Sequence, residues 1–399
     1  MLRFIFRRDS RVCLEYEQSF ASKIGKGKCL SFASGRMALY ELLSIYKIGR
    51  EDEVIVTGFT CSVVIESIIK TGARPVFVDI SIDTLGTCVE SVKQHISSKT
   101  KAIIVQHSFG IPADILTLKD IAKSKRIKLI EDCAIAYGSK ILGKTLGAFG
   151  DASIFSTDHS KPMNTIIGGL LYIEDNQDIF QVLEERNRKA FKLSLARRFG
   201  VILRICIERM TYSGSLIRAY CRMILGVLYR LRGFSPFFFP FIESGFQNSF
   251  KRKIDKTHRL PPELAYLGSM EINIWPVKAE VRIRNARKLY EFLSEYPSVF
   301  ELPKAIKNDN CYIVPLRVVF LVRDSNLRDR IMELLDKNSI WFTSPIISRK
   351  LQLIDYSYNN GDCPTAEMVS QYIINLPVDL SENENVTLIN KLRNILNDV

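Results

Sequence analysis

Lys128-Leu129-Ile130-Glu131-Asp132 and Ala152-Ser153-Ile154-Phe155-Ser156-Thr157-Asp158-His159-Ser160-Lys161 decide the reading of this chain. Each begins as a short apolar run and ends in polar, chemically capable side chains. Runs of this length bounded by polar residues read as buried strands of an α/β sheet. In open α/β sheets, ligands gather beyond the carboxyl ends of the strands. Asp132, Ser156 and Lys161 are therefore expected on one rim. Outward from this pair, Val54-Ile55-Val56, Pro75-Val76-Phe77-Val78 and Ala102-Ile103-Ile104-Val105 read as further strands, with helical periodicity filling most gaps between them. Leu170-Leu171-Tyr172-Ile173, after Gly168-Gly169, reads as another strand, antiparallel to the one before it.

The expected architecture is α/β, with a large, mixed but mostly parallel sheet domain over residues 1–250 and a linker helix plus small α+β domain over 251–399. From about Asp178 to Ser249 the pattern turns helical, basic and aromatic, ending in Phe234-Ser235-Pro236-Phe237-Phe238-Phe239-Pro240-Phe241, and reads as an insertion. A long Arg-rich helical pattern follows Arg259-Leu260-Pro261-Pro262, running through Arg282, Arg284, Arg287 and Tyr290. The C-terminal part alternates a strand-like run from Ile313 to Phe320 with a helix-like one from Leu327 to Lys337.

With 399 residues, the chain can fill a large domain and a smaller one. The N-terminal Met-Leu-Arg-Phe-Ile-Phe-Arg-Arg lacks the apolar stretch and cleavage site of a secretory signal, which predicts a cytoplasmic protein. Nine cysteines stand singly, with no C-x-x-C pair, so neither a disulfide framework nor a zinc site is expected. His107 and His159 lack a third ligand at metal-site spacing, and no metal is expected. The net charge of +13 is local. Arg186, Arg188, Lys189, Lys192, Arg197, Arg198, Arg204, Arg209, Arg218, Arg222, Arg230 and Arg232 face a single acid, Glu208, within one stretch. No nucleic-acid partner is expected, because the charge belongs to one segment and not to the whole surface.

The rim residues suit one cofactor chemistry. Pyridoxal 5′-phosphate (PLP) needs a lysine to form an imine, an acid opposite its pyridine nitrogen, and donors for its phosphate. Lys161 can be that lysine, Asp132 that acid, and the Ser156 hydroxyl a phosphate donor. Ala33-Ser34-Gly35-Arg36-Met37 places a small-residue turn before a helix, where backbone N–H groups of Gly35, Arg36 and Met37 would meet an anion. Asp158 and His159, beside the lysine, are candidates to touch substrate.

At these positions the chain resembles the DegT/StrS family of PLP-dependent sugar aminotransferases, of fold type I. The likeness is carried by Asp52-Glu53-Val54-Ile55-Val56, by Gly72 through Ile80, by the His107-Ser108-Phe109-Gly110 turn, by Glu131-Asp132-Cys133-Ala134 and by Phe155-Ser156 with Lys161. It continues in Cys363-Pro364-Thr365-Ala366-Glu367 and Ile374-Asn375-Leu376-Pro377-Val378. The resemblance implies transfer of an amino group from an amino acid, glutamate being expected, to a keto-sugar nucleotide for cell-surface polysaccharide or glycoconjugate synthesis. It implies a homodimer in which the turn Thr257-His258-Arg259-Leu260 reaches the neighbouring subunit's cofactor, making His258 and Arg259 candidate substrate residues. It also puts Cys61 against the PLP ring, where many members stack an aromatic. Ile135 stands where the family has glutamine, and Arg36 where threonine is common. Members that dehydrate sugars replace the lysine by histidine, so Lys161 favours transamination over that alternative. A non-catalytic, membrane-associated member is a further alternative, and under it a bound cofactor with an imine absorption band would be unexplained.

Within 195–241 apolar residues and arginines interleave, and no uncharged stretch reaches the length needed to span a bilayer. Three uses fit this pattern: in-plane contact with the inner face of an anionic membrane, packing on the dimer partner or over the site, and binding of a nucleotide diphosphate.

Overall fold

The computed structural model describes residues 10–158, 160–174, 176–210, 223, 257–335 and 358–397. The first half runs α1 (Ser10–Ile24), β1 (Lys28–Phe32), α2 (Gly35–Ile45), β2 (Glu53–Thr57), α3 (Ser62–Thr71), β3 (Arg74–Val78), α4 (Val89–His95), β4 (Thr100–Gln106), α5 (Ile115–Lys125), β5 (Lys128–Asp132), the short β6 (Lys140–Ile141) and β7 (Lys144–Thr145), β8 (Ala152–Ser156) and β9 (Gly169–Ile173). Seven of these strands form one sheet in the order β1-β9-β8-β5-β4-β2-β3. Strand β9 is antiparallel to both neighbours, as expected for Leu170–Ile173, while the pairs from β8 to β3 are parallel.

Side chains alternate across a strand, so a sheet covered on both faces needs apolar residues in both registers. Ile55, Ile103, Val105 and Leu129 join Tyr16 and Phe20 of α1 in one core. Val54, Val56, Ala102, Ile104 and Ile130 pack into the other, with Leu42 and Leu43 of α2 and Ile65 and Ile68 of α3. Strand β1 gave no clear signal: Lys28, Cys29 and Ser31 make a weak strand former, and the segment is a strand because Lys28 to Phe32 pair with Ile173 to Gly169.

Helix α6 (Gln177–Lys189) follows β9. It is held to the sheet: the buried Asn187 donates from Nδ2 to the Ser31 carbonyl at 3.0 Å. Just beyond it, Phe191 N–H donates to Thr257 O and Arg259 N–H donates to Phe191 O, both at 3.0 Å. These bonds bring the two ends of 192–256 together, so that this excursion of the sequence begins and ends at one point. Helix α7 (Leu195–Met210) lies within this excursion; much of the stretch expected over 195–241 lies outside the described residues.

The return leads into α8 (Pro262–Ser294), the long helix expected after Pro261-Pro262, with proline at its first turn where no N–H partner is lost. It packs on α1, and Gly268 permits the approach: a Cβ there would come within 2.4 Å of the Tyr16 ring. There follow β10 (Phe300–Glu301), β11 (Cys311–Tyr312), β12 (Arg317–Val322), α9 (Ser325–Leu334), α10 (Pro364–Tyr372), β13 (Ile373–Pro377) and α11 (Glu382–Asn397). Strand β12 is central in a small antiparallel sheet, between β10 and β13. The single strand expected from Ile313 to Phe320 is broken. Pro315 has no N–H to give a ladder, and the chain there crosses back to the large domain, with Val314 N–H donating to Ser139 Oγ and Leu316 N–H to Phe109 O, each at 3.0 Å. Gly110 (φ +92°) makes room for that crossing, since a Cβ would meet Val314 O at 2.4 Å.

Hydrogen bonds of three polar side chains fasten the C-terminal elements to the rest. Buried Arg282 of α8 donates to Leu316 O at 3.0 Å, and buried Asn285 donates to Val378 O and Leu380 O at 2.9 and 2.7 Å. From the large sheet, Asp79 accepts from Thr365 and Ala366 N–H at 2.8 and 2.9 Å, capping α10. Among the described residues, no helix is long and apolar enough to cross a membrane.

Candidate functional site

Register fixes the rim. Gln106 lies opposite Asp132 in the β4–β5 pair, and Asp132 lies opposite Ile154 in the β5–β8 pair. Gln106, Asp132 and Ser156 therefore end three neighbouring strands at the same carboxyl edge. Asp132 is buried, and its Oδ1 accepts from Ala134 N–H at 3.0 Å. Burial pushes its carboxyl above the ordinary aspartate range, while the Ala134 N–H and the Lys161 ammonium pull it down. Lys161 is thus close enough to act electrostatically on Asp132, although a loop separates it from β8.

That loop is tied at its base. Thr157 N–H donates to Gly168 O at 3.0 Å, Thr165 N–H to Thr157 O at 2.8 Å, and the two buried threonine hydroxyls meet at 2.6 Å. Gly168 is required at φ +155°, where a Cβ would come within 2.2 Å of Thr157 Oγ1. At the top, Lys161 N–H closes a turn on Asp158 O at 2.9 Å, which sets the half-buried Lys161 beside Asp158. On the far flank Asn164 N–H donates to the buried Glu271 of α8 at 3.3 Å. His159 lies outside the described residues.

The Ser34-Gly35 turn sits against the same edge. Ser34 caps α2, its Oγ accepting from Met37 N–H at 3.4 Å, and no acid occupies the first turn of that helix. A positive helix end is thereby left for an anion. A Cβ on Gly35 would lie 3.7 Å from Ser156 Cβ, so turn and hydroxyl border one space. Gly169 seats the turn: a Cβ there would meet Gly35 N at 2.2 Å and Ser34 C at 2.4 Å. Because both obstacles are backbone, Gly169→Ala is expected to cost about 2–3 kcal/mol, the upper part of the usual overpacking range, read as a lower urea midpoint with unchanged slope. The Arg36 guanidinium faces Glu66 of α3 at 3.6 Å, so its charge at the turn is shared with a carboxylate.

Around this edge, half-buried Cys61 precedes α3, and the preceding Phe59 carbonyl accepts from Gln106 Nε2 at 2.7 Å. The 257–259 segment lies against the turn of its own chain. Ala33 N–H donates to His258 O at 2.9 Å, Arg259 pairs with Phe32, and Thr257 Oγ1 donates to Glu41 at 2.5 Å.

One supporting residue had no role assigned from sequence. Glu131, fully buried, accepts from the N–H groups of Gly147, Phe149 and Gly150 at 2.8, 2.6 and 2.7 Å. His107 completes the cage: its Nδ1 accepts from Ala113 N–H at 3.1 Å, which assigns the proton to Nε2, 3.1 Å from Glu131. His107, Glu131 and Cys133 have ligand atoms within 4.8 Å of one another, but the carboxylate's lone pairs are already committed to four donors. The signal was present in strand alternation: next to a rim-facing Asp132, a glutamate must point the other way, and a buried charge there requires dedicated partners.

The pattern of the DegT/DnrJ/EryC1/StrS aminotransferase family matches residues 7–199. The chain is 38% identical over 164 residues to GDP-perosamine synthase of Escherichia coli O157:H7, a match covering 40% of this chain and 45% of that protein. It thus spans less than half the length of that curated relative. In three dimensions it is similar to an aminotransferase from Psychrobacter cryohalolentis, with a TM-score of 0.76 at 19% identity over 98% of this chain and 92% of the other. It is also similar to a putative sugar aminotransferase of Streptococcus pneumoniae in its PLP form, with a TM-score of 0.70 at 20% identity over 96% and 91% of the two chains.

Proposed function

Because this chain belongs to the DegT/DnrJ/EryC1/StrS aminotransferase family, we propose that it transfers an amino group from an amino acid, glutamate being the expected donor, to a keto-sugar carried on a nucleotide, using PLP. What supports the proposal is the shared carboxyl edge of Asp132 and Ser156, with the Lys161 loop leaving that edge and the capped N-terminus of α2 bordering Ser156. The nucleotide-sugar part rests on relatives such as the GDP-perosamine synthase.

The residues present fit the cofactor. Ser156 and Gly35 border one space with donors for a dianion, and Arg36 adds a charge already balanced by Glu66. Asp132 lies in a buried position whose desolvation a cationic ring nitrogen would offset. When bound, PLP supplies an aldehyde that takes up the amino group and a pyridinium that stores the electron pair left when the donor's Cα proton departs. Asp132 holds the proton on the ring nitrogen. Lys161 Nζ, once free as a neutral amine, takes the proton from the donor's Cα. Cys61, at the turn that Gln106 holds through the Phe59 carbonyl, would lie against the ring.

The proposal is tested by the visible spectrum of the protein with PLP before and after L-glutamate, followed by a screen of keto-sugar nucleotides for aminated product. The expected result is a visible band that glutamate shifts to the near ultraviolet. Failure of glutamate and other amino acids to shift the band would end the transaminase reading. In the same assay Asp132→Asn is expected to keep the band and to slow the shift by roughly 10²–10⁴-fold, because an amide cannot hold the ring nitrogen protonated.

A further inference from the structure

We propose that Glu271 of α8 is a positioning residue for Lys161, an inference that rests on the aminotransferase reading above. The buried Glu271 carboxylate accepts from Asn164 N–H at 3.3 Å. Asn164 is itself held in a turn, its Oδ1 accepting from Ile166 N–H at 2.8 Å. Between Lys161 and Asn164 stand Pro162, whose ring sets its φ, and Met163, which is 2% exposed. This short, stiff limb carries a displacement at Asn164 to the lysine. The base of the loop at Thr157, Thr165 and Gly168 is a separate anchor, so Glu271 fixes where the limb stands above that base.

Helix α8 gauges the other half of the site from the same face. Glu271, Trp275, Lys278 and Arg282 recur at helical spacing and form one stripe. Trp275 packs on the loop that leaves Asp132: its ring centroid lies 4.9 Å from that of Tyr137, and a Cβ on Gly138 would meet its Nε1 at 2.7 Å. Consecutive turns of one helix therefore hold the lysine loop and the aspartate loop. Lys278 Nζ reaches the same Glu271 oxygen at 2.6 Å from the far side of Pro276. It balances a charge that burial would otherwise penalise, while the contact with Asn164 does the positioning.

The test compares two double variants of the full chain that both remove the ion pair and differ in the acceptor. Glu271→Gln with Lys278→Met keeps an amide oxygen for the Asn164 N–H, and Glu271→Met with Lys278→Met does not. Both stay near the native volume and leave neither member of the pair as an unpartnered charge, so both should fold. The first is expected to form the Lys161-dependent band with PLP, and to shift it with glutamate, within about threefold of wild-type rates. The second is expected to be slowed roughly 10–100-fold in both steps, with the glutamate concentration at half-maximal rate little changed. In the cofactor-free protein, amides of 161–168 are expected to exchange hydrogen faster in the second variant alone, those of β4 being unchanged. Equal rates in the two variants, whether both fast or both slow, would overturn the proposal. So would unchanged exchange, or a defect confined to the half-maximal glutamate concentration. A wild-type protein with no Lys161-dependent band would end the aminotransferase reading itself, whereas a responsive wild-type band matched by the second variant would end this inference alone.

Discussion

Lys161→Ala is expected to erase the visible cofactor band and to lower amino-group transfer by roughly 10⁴-fold, the upper end of what a positioned proton carrier contributes. Both effects follow from one amine. Its imine with the cofactor gives the band, and its free form carries the Cα proton. The variant should fold, because the Lys161 backbone N–H keeps its bond to Asp158 O and the loop base at Thr157, Thr165 and Gly168 does not involve the side chain. Asp132 provides a second readout. Its carboxyl is already raised by burial and is held down in part by the Lys161 ammonium, so deleting that ammonium raises it further. A carboxyl raised on folding favours the folded state in acid and loses that advantage as pH climbs through its folded value. The cofactor-free variant is therefore expected to lose more stability against wild type near neutrality than in acid, as measured by urea unfolding across pH. A variant that retained the band, or more than about a hundredth of the activity, would remove Lys161 from the centre of the reaction.

How much of this was legible depends on where each constraint resides. The strands at Val54–Val56, Ala102–Val105 and Lys128–Asp132 were readable because both of their faces are covered, and apolar runs bounded by polar residues have few other uses. Asp132 and Ser156 were readable as neighbours on one edge, since the ends of adjacent parallel strands converge by geometry. Strand β1 was not, because its conformation comes from pairing with β9, a partner more than a hundred residues away in the chain. The break at Pro315 was available from the missing N–H, but the place where the chain crosses depends on the space left by Gly110. The extent of the excursion was blurred for a similar reason. Helix α6 is basic and polar like the segment after it, and the Asn187 bond to Ser31 that ties it to the sheet is invisible to periodicity. Glu131 belongs to a legible motif, yet its role depends on a loop more than a dozen residues onward turning its N–H groups inward.

That cage is where the largest loss of stability is expected. Glu131→Ala should destabilise the protein by about 3–5 kcal/mol, because it strands three backbone N–H donors and the His107 Nε2–H in a site that water does not reach. Glu131→Gln is nearly isosteric and discriminates packing from polarity. One of its two oxygens becomes an NH₂ group, facing either the Phe149 and Gly150 N–H groups or the Gly147 N–H and His107. His107 cannot relieve this by moving its proton to Nδ1, since that nitrogen accepts from Ala113 N–H. Donor against donor should then cost nearly as much as deletion, about 3 kcal/mol. The caged loop at 147–150 leads directly into β8, which carries Ser156 and the lysine loop, so cofactor affinity should fall together with the urea midpoint. A loss under about 1 kcal/mol in Glu131→Gln would mean that the N–H groups find other acceptors and that the cage does not hold the site.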